Sequence, residues 1–531
     1  MIKTQYSFEE FALSSQLIRD LIDEKVDVKP FVRDYFSKAN LLSSLNQRRF
    51  GDESRQVLVD VLTDQNNQIK LSAKTKDNIA SLKSDRTFTI TTGHQLNMAT
   101  GPLYTIYKIV EVINWTEQLN AELGEHHFVP VFWMATEDHD FEEINHINLF
   151  GQKIEWIHDG VEKTVVGRLN TSSTTDFVSS ILEKFGNEDL RAKIEQILDV
   201  YLKGQTLAEA NRELINNLFG EYGLVIIDGD DSRLKKQFSS VLKAEIESGT
   251  TYEKVTEFNT LLSESNYHNQ VFVRNCNLFY IHKNGLRERI EKVGDSYKIG
   301  EVNYSTEKLL SMVETQPEEF SPNALLRPVF QEVVLPNLAY IGGGGEIAYW
   351  LQLKGVFEAL SIDFPLLKVR DSVVLVDKKN REILNGFGYS VLDLKMEQTA
   401  LLKDFVTKNA TEPVDLAAEK TDLDLIRTKI LNKTSKIDKG VEHFIEGEFQ
   451  RILNQFEKME KKFIQAEKKN NEKAIRQLER LQHNFFPNNG FQERHNNIIS
   501  YLQNEGIISK IKGELKQKMA DQAAIHIIEI E

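Results

Sequence analysis

The chain is poor in cysteine: its 531 residues include one, Cys276, which can neither close an intrachain disulfide nor supply a multi-thiolate metal site. No apolar run approaches the roughly 18 residues that a membrane-spanning helix needs, so a membrane protein is not expected. An excess of positive charge is missing too. With 65 Lys+Arg against 80 Asp+Glu the net charge is −15, and such a chain repels phosphate polymers and anionic lipid unless basic residues cluster locally. Neither nucleic-acid nor membrane partners are expected. The first residues, MIKTQYSFEEF, lack a basic stretch followed by an apolar one, and the expected location is cytoplasmic. What is present, 40% hydrophobic and 27% charged residues, is ordinary for a folded chain, and the length suggests roughly three to four structural units.

Residues 1–85 pattern as helices, with Phe8, Phe11, Ala12, Leu17, Ile18, Leu21 and Ile22 on one helical period. From Thr87 the texture changes. TFTITT alternates as a strand, Gly93 breaks it, GPLYTIYKIVEVINWTEQL follows with helical spacing, and HFVPVFWMAT reads as a buried strand. Strand, helix and strand in so short a span force parallel pairing and a right-handed crossover. GLVIIDGDD adds a strand before a helix near Ser232, and DFPLLKVRDSVVLVD one or two more. The predicted fold class is therefore α/β, with a parallel-sheet core over 86–390. Intervals at about 150–220 and 240–325 are too long for simple connections and read as insertions, the second with a hairpin turning at Lys283, Asn284 and Gly285.

The segment 391–485 differs in kind. Phe449, Ile452, Phe456, Met459, Phe463 and Ala466 step by threes and fours, and Leu478, Leu481 and Phe485 resume the step, as in a coiled coil. An earlier helix around Leu423 to Leu431 ends near Asp438, Lys439 and Gly440, which predicts an antiparallel helical hairpin. Its uncovered apolar side chains predict a homodimer. Residues 486–531 return to the core, ending in the strand-like AAIHIIEIE.

Three clusters could carry chemistry. Thr92, Gly93, His94 and Gln95 close the first core strand, and Gly101 opens the following helix. Ligands of open parallel sheets bind beyond the strands' carboxyl ends, where a helix N-terminus favours phosphate. Thr92, Gly93, His94 and Gly101 are thus candidates for nucleotide binding, and His94 and Gln95 for stabilising charge on a phosphate oxygen; a turn histidine capping the helix is the alternative. The second cluster follows Trp133: Glu137, Asp138, His139 and Asp140. Carboxylates and an imidazole are unfavourable to gather unless a cation, an amine or a base function uses them. Asp138 or Asp140 would hold an ammonium group, His139 would take a proton from an attacking amine, and Mg²⁺ beside a nucleotide suits the carboxylates. An acidic helix N-terminus is the alternative. No protein metal site is assigned, because His139 and His146 lack the i, i+4 spacing of a helical zinc site.

The third cluster runs from Arg327 and Gln331 through Tyr340 to Gly342–Gly345 and Glu346. Consecutive glycines make sense where backbone hugs a ligand, although they also make flexible turns. Trp133, Arg327, Gln331, Tyr340, Gly343, Gly344 and Glu346 are the candidate substrate-binding set, with Arg327 able to fork onto a carboxylate or phosphate. A fourth, weaker cluster is Arg370, Asp371 and Ser372 after the strand FPLLKV, with a surface bend as the preferred reading. Cys276 has no adjacent histidine or basic pocket and is not expected to be catalytic.

With these segments set out, the chain resembles, over nearly its full length, the family of the bacillithiol biosynthesis cysteine-adding enzyme. The stretches that carry the resemblance are TGHQLNMATGPLYTIYKI, VPVFWMATEDHDFEEINHI, NALLRPVFQEVVLPNLAYIGGGGEIAYWLQL and FFPNNGFQER. The chain departs from many relatives at His94, where they carry glutamine, and at Gly344, where they carry proline. The resemblance implies a Rossmann-like core related to class I aminoacyl-tRNA synthetases and nucleotidyltransferases, two connecting-peptide insertions and a coiled-coil dimerisation domain. It also implies a reaction: joining the carboxyl of cysteine to the glucosamine amine of glucosaminyl malate. A carboxylate is a poor electrophile, so ATP is the expected activator, through an acyl-adenylate or an acyl-phosphate. In that frame Asp138, His139 and Asp140 hold or deprotonate an amine, and Arg327 binds a substrate carboxylate. Two other readings stand beside it: a related nucleotide-dependent ligase or nucleotidyltransferase with another acceptor, and a non-catalytic dimeric scaffold.

Overall fold

The computed structural model describes residues 3–160, 162–410, 412–434 and 439–531. Two compact units result. One comprises Lys3–Leu375 with Glu493–Glu531, and the other Val376–Gln492.

The first unit is built on five parallel strands: β1 (Thr87–His94), β2 (His127–Met134), β3 (Val225–Asp228), β4 (Asn337–Gly342) and β5 (Leu366–Val369). Their spatial order is 3-2-1-4-5, the doubly wound arrangement in which chain direction across the sheet reverses between β1 and β4. The α/β expectation and the parallel pairing are borne out. The strands are buried along almost their whole length, which explains their near-continuous apolar runs. Helix α1 (Tyr104–Glu122) makes the first crossover. It is buried on nearly every side, because it packs on β1 and β2 and also receives the helix Ile507–Gln517 from the chain's end.

Before α1 the chain makes a tight left-handed turn. Ala99, Thr100 and Gly101 have φ of 48°, 71° and 64°, and a Cβ on Gly101 would lie 2.5 Å from that of Asn97. Asn497 Nδ2 fixes the turn by donating to the carbonyls of Ala99 (2.8 Å) and Gly101 (2.6 Å). Gly101 is therefore a turn residue, and the expected nucleotide contact at this position is corrected.

Between β2 and β3 lie the hairpin His146–Leu149/Gln152–Glu155 and the helices Thr175–Leu182, Glu188–Leu198 and Leu207–Phe219. Between β3 and β4 lies a five-stranded antiparallel sheet, with the hairpin Leu278–Ile281/Arg287–Val293 turning where the sequence indicates. The terminal strand Ile525–Ile530 pairs antiparallel with Gln5–Tyr6 and stands in a separate three-stranded sheet, outside the parallel one. The N-terminal helical period is partly wrong. Phe8 and Phe11 are buried but precede the helix Gln16–Ile22, because Ala12 and Ser14 have φ of 40° and 75° and interrupt it.

In the second unit Ala417–Thr434 and Lys439–Asn470 run antiparallel, tied by Lys420–Glu460 (2.7 Å) and Arg427–Glu446 (3.1 Å). The hairpin is borne out; most of its turn, 435–438 including Asp438, lies outside the described residues. The helix Glu472–Phe485 buries Ile475, Leu478, Leu481 and Phe485. No helix among the described residues is long and apolar enough to cross a membrane.

Candidate active site

A cavity of about 430 Å³ opens at the carboxyl ends of the parallel strands. β1 contributes Gly93, His94 and Gln95, β2 the run Trp133–Asp138, β3 the following Gly229, β4 Tyr340 with Gly343, Gly345 and Glu346, and β5 Arg370. This is the switch point of the sheet, where connections leaving to opposite faces open a crevice. Two glycines make room for large rings. A Cβ on Gly229 would lie 2.6 Å from Trp133 Cζ2, and one on Gly93 would lie 3.2 Å from the Trp133 carbonyl and 3.6 Å from the Tyr340 hydroxyl.

Lys108, one turn into α1, forms the floor. Its Nζ donates to Gly93 O (2.6 Å) and to Glu346 Oε2 (2.7 Å). Glu346 also accepts from Gly343 N (2.9 Å) and from the Tyr340 hydroxyl (3.1 Å). Burial alone would raise the Glu346 carboxyl, but the Lys108 charge and these hydrogen bonds pull it down to about 2. The glycine run thus does not present a free row of N–H groups, since Gly343 N–H is engaged by the protein's own carboxylate.

His94 sits in the wall with its ring edge against Tyr104 at 5.2 Å. Burial, then the nearby Lys108 charge, bring its imidazole down to about 3, so it is neutral at physiological pH. Its Nε2 is buried and has no hydrogen-bond partner among the described residues. Gln95 Nε2 donates to Asp138 Oδ2 (2.7 Å) and Glu143 Oε2 (2.8 Å). Burial raises the Asp138 carboxyl, but hydrogen bonds from His139 and Gln95 and the charge of Arg287 outweigh it and hold the group well below the ordinary carboxylate range.

Arg327 lies among the rings of Trp133, Tyr340 and Trp350, its guanidinium 5.9, 5.7 and 5.8 Å from their centroids. Burial opposes its charge, yet the neighbouring tyrosines and Glu346 raise it. Its Nη1 donates to Gln331 Oε1 (3.1 Å), while Nη2 has no hydrogen-bond partner among the described residues. Gln331 is fully buried behind Arg327 and holds it without lining the cavity.

Several expectations are corrected. The Glu137–Asp140 cluster is split: Glu137, paired with Lys235 (2.6 Å), and Asp138 line the cavity, whereas exposed Asp140 caps the short helix Phe141–Ile144. His139 does not line the cavity, and its Nδ1 lies 3.0 Å from Arg287 Nη1. Gly344 does not line the cavity either; its Cβ position lies 2.6 Å from Ser14 Oγ, so its smallness serves packing. Thr92 is a buried strand residue. Arg370, Asp371 and Ser372 are buried instead of forming a surface bend. Cys276 is buried, and burial followed by the Glu245 charge pushes its thiol up to about 12.

Tyr104, Lys108, Arg287, Asn323 and Arg494 line the cavity without having been singled out as site residues, and Arg370, from the weaker fourth cluster, lines it too. Lys108 carries the one signal that local reading could have used, a charge inside the apolar helical run YTIYKIVEVI. Tyr104 opens the same helix, and the others arrive from remote segments.

Fold and cavity together define an α/β protein with a mixed-charge small-molecule site at the switch point of its sheet. A family model described as the bacillithiol biosynthesis BshC N-terminal Rossmann-like domain matches residues 1–371, and one described as the BshC C-terminal coiled-coil domain matches residues 373–527. The chain belongs to the BshC family of bacillithiol biosynthesis. It is 39% identical to the "Putative cysteine ligase BshC" of Flavobacterium psychrophilum over 96% of each chain. It is also 39% identical to that of Flavobacterium johnsoniae over 94% of each, and 35% identical to that of Christiangramia forsetii over 96% of each. The activity class attached to the family is that of a ligase.

Proposed function

We propose that this protein joins the carboxyl group of cysteine to the glucosamine amine of glucosaminyl malate as an amide, with ATP as activating cosubstrate and Mg²⁺ accompanying its phosphates. The observation that carries this reading is the division of charge in the cavity. Of the cavity's carboxylates, Glu346 is taken up by Lys108 and Glu137 by Lys235, whereas Asp138, held in its ionised form, faces a space also lined by Arg327, Arg370 and Arg494. An amino-acid zwitterion together with anionic cosubstrates fits that division, because each charge loses water on entry and needs a partner of opposite sign.

In this account Asp138 binds the cysteine ammonium, with Gln95 keeping the carboxylate in place. Arg327, stiffened by its three rings, binds a substrate carboxylate. His94 donates or accepts as a neutral imidazole where charge develops on the activated carboxyl. The attacking amine must shed a proton, and none of the expected bases Asp138, His139 and Asp140 is placed to take it: Asp140 is exposed and caps a helix away from the cavity. Asp138 lies lower than an ordinary carboxyl, and His139 stands outside the cavity against Arg287; His94, at about 3, does not replace them. The proton leaves to water or to the departing phosphate. Ligation assays on Asp138→Asn and His94→Ala test the assignment: both should fold as the wild type, Asp138→Asn losing affinity for cysteine and His94→Ala losing turnover, and unchanged kinetics in either would remove that residue from the mechanism.

The helical unit is proposed to dimerise. Leu425, Ile426, Phe444, Ile452, Met459 and Phe463 are large apolar side chains left exposed on its two long helices, a stripe that a second copy would cover.

A further inference from the structure

The segment that resumes after the helical unit, beginning at Glu493, sends two neighbouring side chains to one wall of the cavity in different ways. Glu493 is turned inward and is 1% exposed. Its carboxylate grips Arg370 in fork geometry, Oε1 to Nη2 at 2.6 Å and Oε2 to Nη1 at 2.9 Å. It also accepts from Ser372 Oγ (3.1 Å) and Val373 N (3.2 Å), which fixes it to the backbone beyond β5. Arg494 lines the cavity beside Arg370 and Tyr104. The Arg370 guanidinium stands 5.5 Å from the Tyr104 ring centroid, and both arginine charges act on that hydroxyl, which burial pushes up to about 12.

Burial works against the Arg370 charge, and the Glu493 carboxylate more than restores it. Its Nε, buried, is left without a hydrogen-bond partner among the described residues. A lone guanidinium at the end of β5 would have several rotamers open to it. One forked from behind by a buried carboxylate has one, with its remaining face and its charge presented to the cavity.

We propose that Glu493 is a positioning residue, and that through it Arg370, with Arg494 and the neutral Tyr104 hydroxyl, forms a subsite for an anionic oxygen group. The proposal rests on the reading of the cavity as the ligation site and deepens it by naming the chemistry this wall takes. Two groups share that chemistry, the phosphates of ATP and the two carboxylates of a malyl moiety. The subsite is completed only when Glu493–Asn497 is in place, so the reaction chamber depends on a stretch more than a hundred residues beyond β5 in sequence.

The test is equilibrium binding by calorimetry on the full chain, with ATP and with malate as separate probes, followed by initial-rate kinetics with each substrate varied in turn. Arg494→Ala removes an exposed arginine and should leave the fold intact. It should weaken one of the two probes about tenfold, the range expected when one charge-assisted contact is lost. Glu493→Gln should do the same to the same probe, raising the KM of the matching substrate while the KM of cysteine stays as in the wild type. Loss confined to ATP places phosphate on this wall, and loss confined to malate places carboxylate there; either supports the subsite. Unchanged affinity for both in a folded Arg494→Ala protein overturns it, as does a wild type that binds neither. Should Glu493→Gln fail to fold, Arg494→Ala and Arg370→Lys decide the matter. Because binding is read without turnover, a wild type that binds an anion as expected but makes no amide would refute the ligase reading and leave the subsite standing.

Discussion

Lys108 Nζ lies 2.7 Å from Glu346 Oε2 and 2.6 Å from Gly93 O, so one buried ammonium ties the end of β1 to the helix that follows β4. These are the two strands between which the sheet reverses. The pair bridges the crevice from below, occupies the carboxylate that would otherwise compete for substrate cations, and sets a positive charge beside His94.

The His94 imidazole gives a pH prediction. Its folded-state value, about 3, lies below the ordinary 6.5, so between those limits the unfolded chain binds the extra proton and stability falls as pH falls. The slope from one such group reaches at most about 1.4 kcal/mol per pH unit. Denaturant titrations from pH 7 to 4 should therefore show a shallower loss for His94→Gln than for the wild type. Parallel curves would mean that His94 titrates normally.

Asp138→Asn keeps shape and hydrogen bonding to Gln95 but removes the charge. If Asp138 holds the cysteine ammonium, the KM for cysteine should rise by about 10- to 100-fold, corresponding to roughly 1.5–3 kcal/mol for a charge-assisted contact. The KM for ATP should hardly move. Initial rates with each substrate varied separately check this.

Gly229→Ala tests the packing that seats Trp133. The added methyl would lie 2.6 Å from Trp133 Cζ2 and 3.0 Å from Phe330 Cε1, atoms of rings that are themselves buried. A destabilisation of about 1–3 kcal/mol is expected from such overpacking, together with a shifted tryptophan emission. An unchanged unfolding midpoint would show that the indole is free to move.

Phe444→Glu places a charge in the proposed dimer stripe at a side chain 67% exposed in the single chain. Light scattering should then give the monomer mass where the wild type gives twice that value, with helical content retained. A wild type that is monomeric at micromolar concentration would contradict the dimer.

Local pattern carried the parallel core and the helical hairpin because both are periodic, as in TFTITT and in the Phe449–Phe463 step. It also carried His94, Gln95, Asp138, Arg327 and Tyr340 to the cavity, since strand ends in a parallel sheet share one edge. It failed on His139 and Asp140, which adjoin Asp138 in sequence but turn elsewhere once the strand has ended. It failed on Arg287 and Arg494, and underrated Arg370 as a surface bend, for the opposite reason, because only the fold brings an antiparallel insertion, the last core strand and the resuming segment to one cavity. Gly344 misled because a glycine that permits contact with Ser14 looks in sequence like one that permits contact with a ligand.

The most direct measurement is incubation of the purified wild-type protein with ATP, Mg²⁺, cysteine and glucosaminyl malate, with mass spectrometry following the thiol product, AMP and ADP together. The account predicts an amide-linked product whose appearance requires both cysteine and nucleotide, with AMP marking an adenylate and ADP an acyl-phosphate. A folded protein that binds its substrates and forms no such product would contradict it.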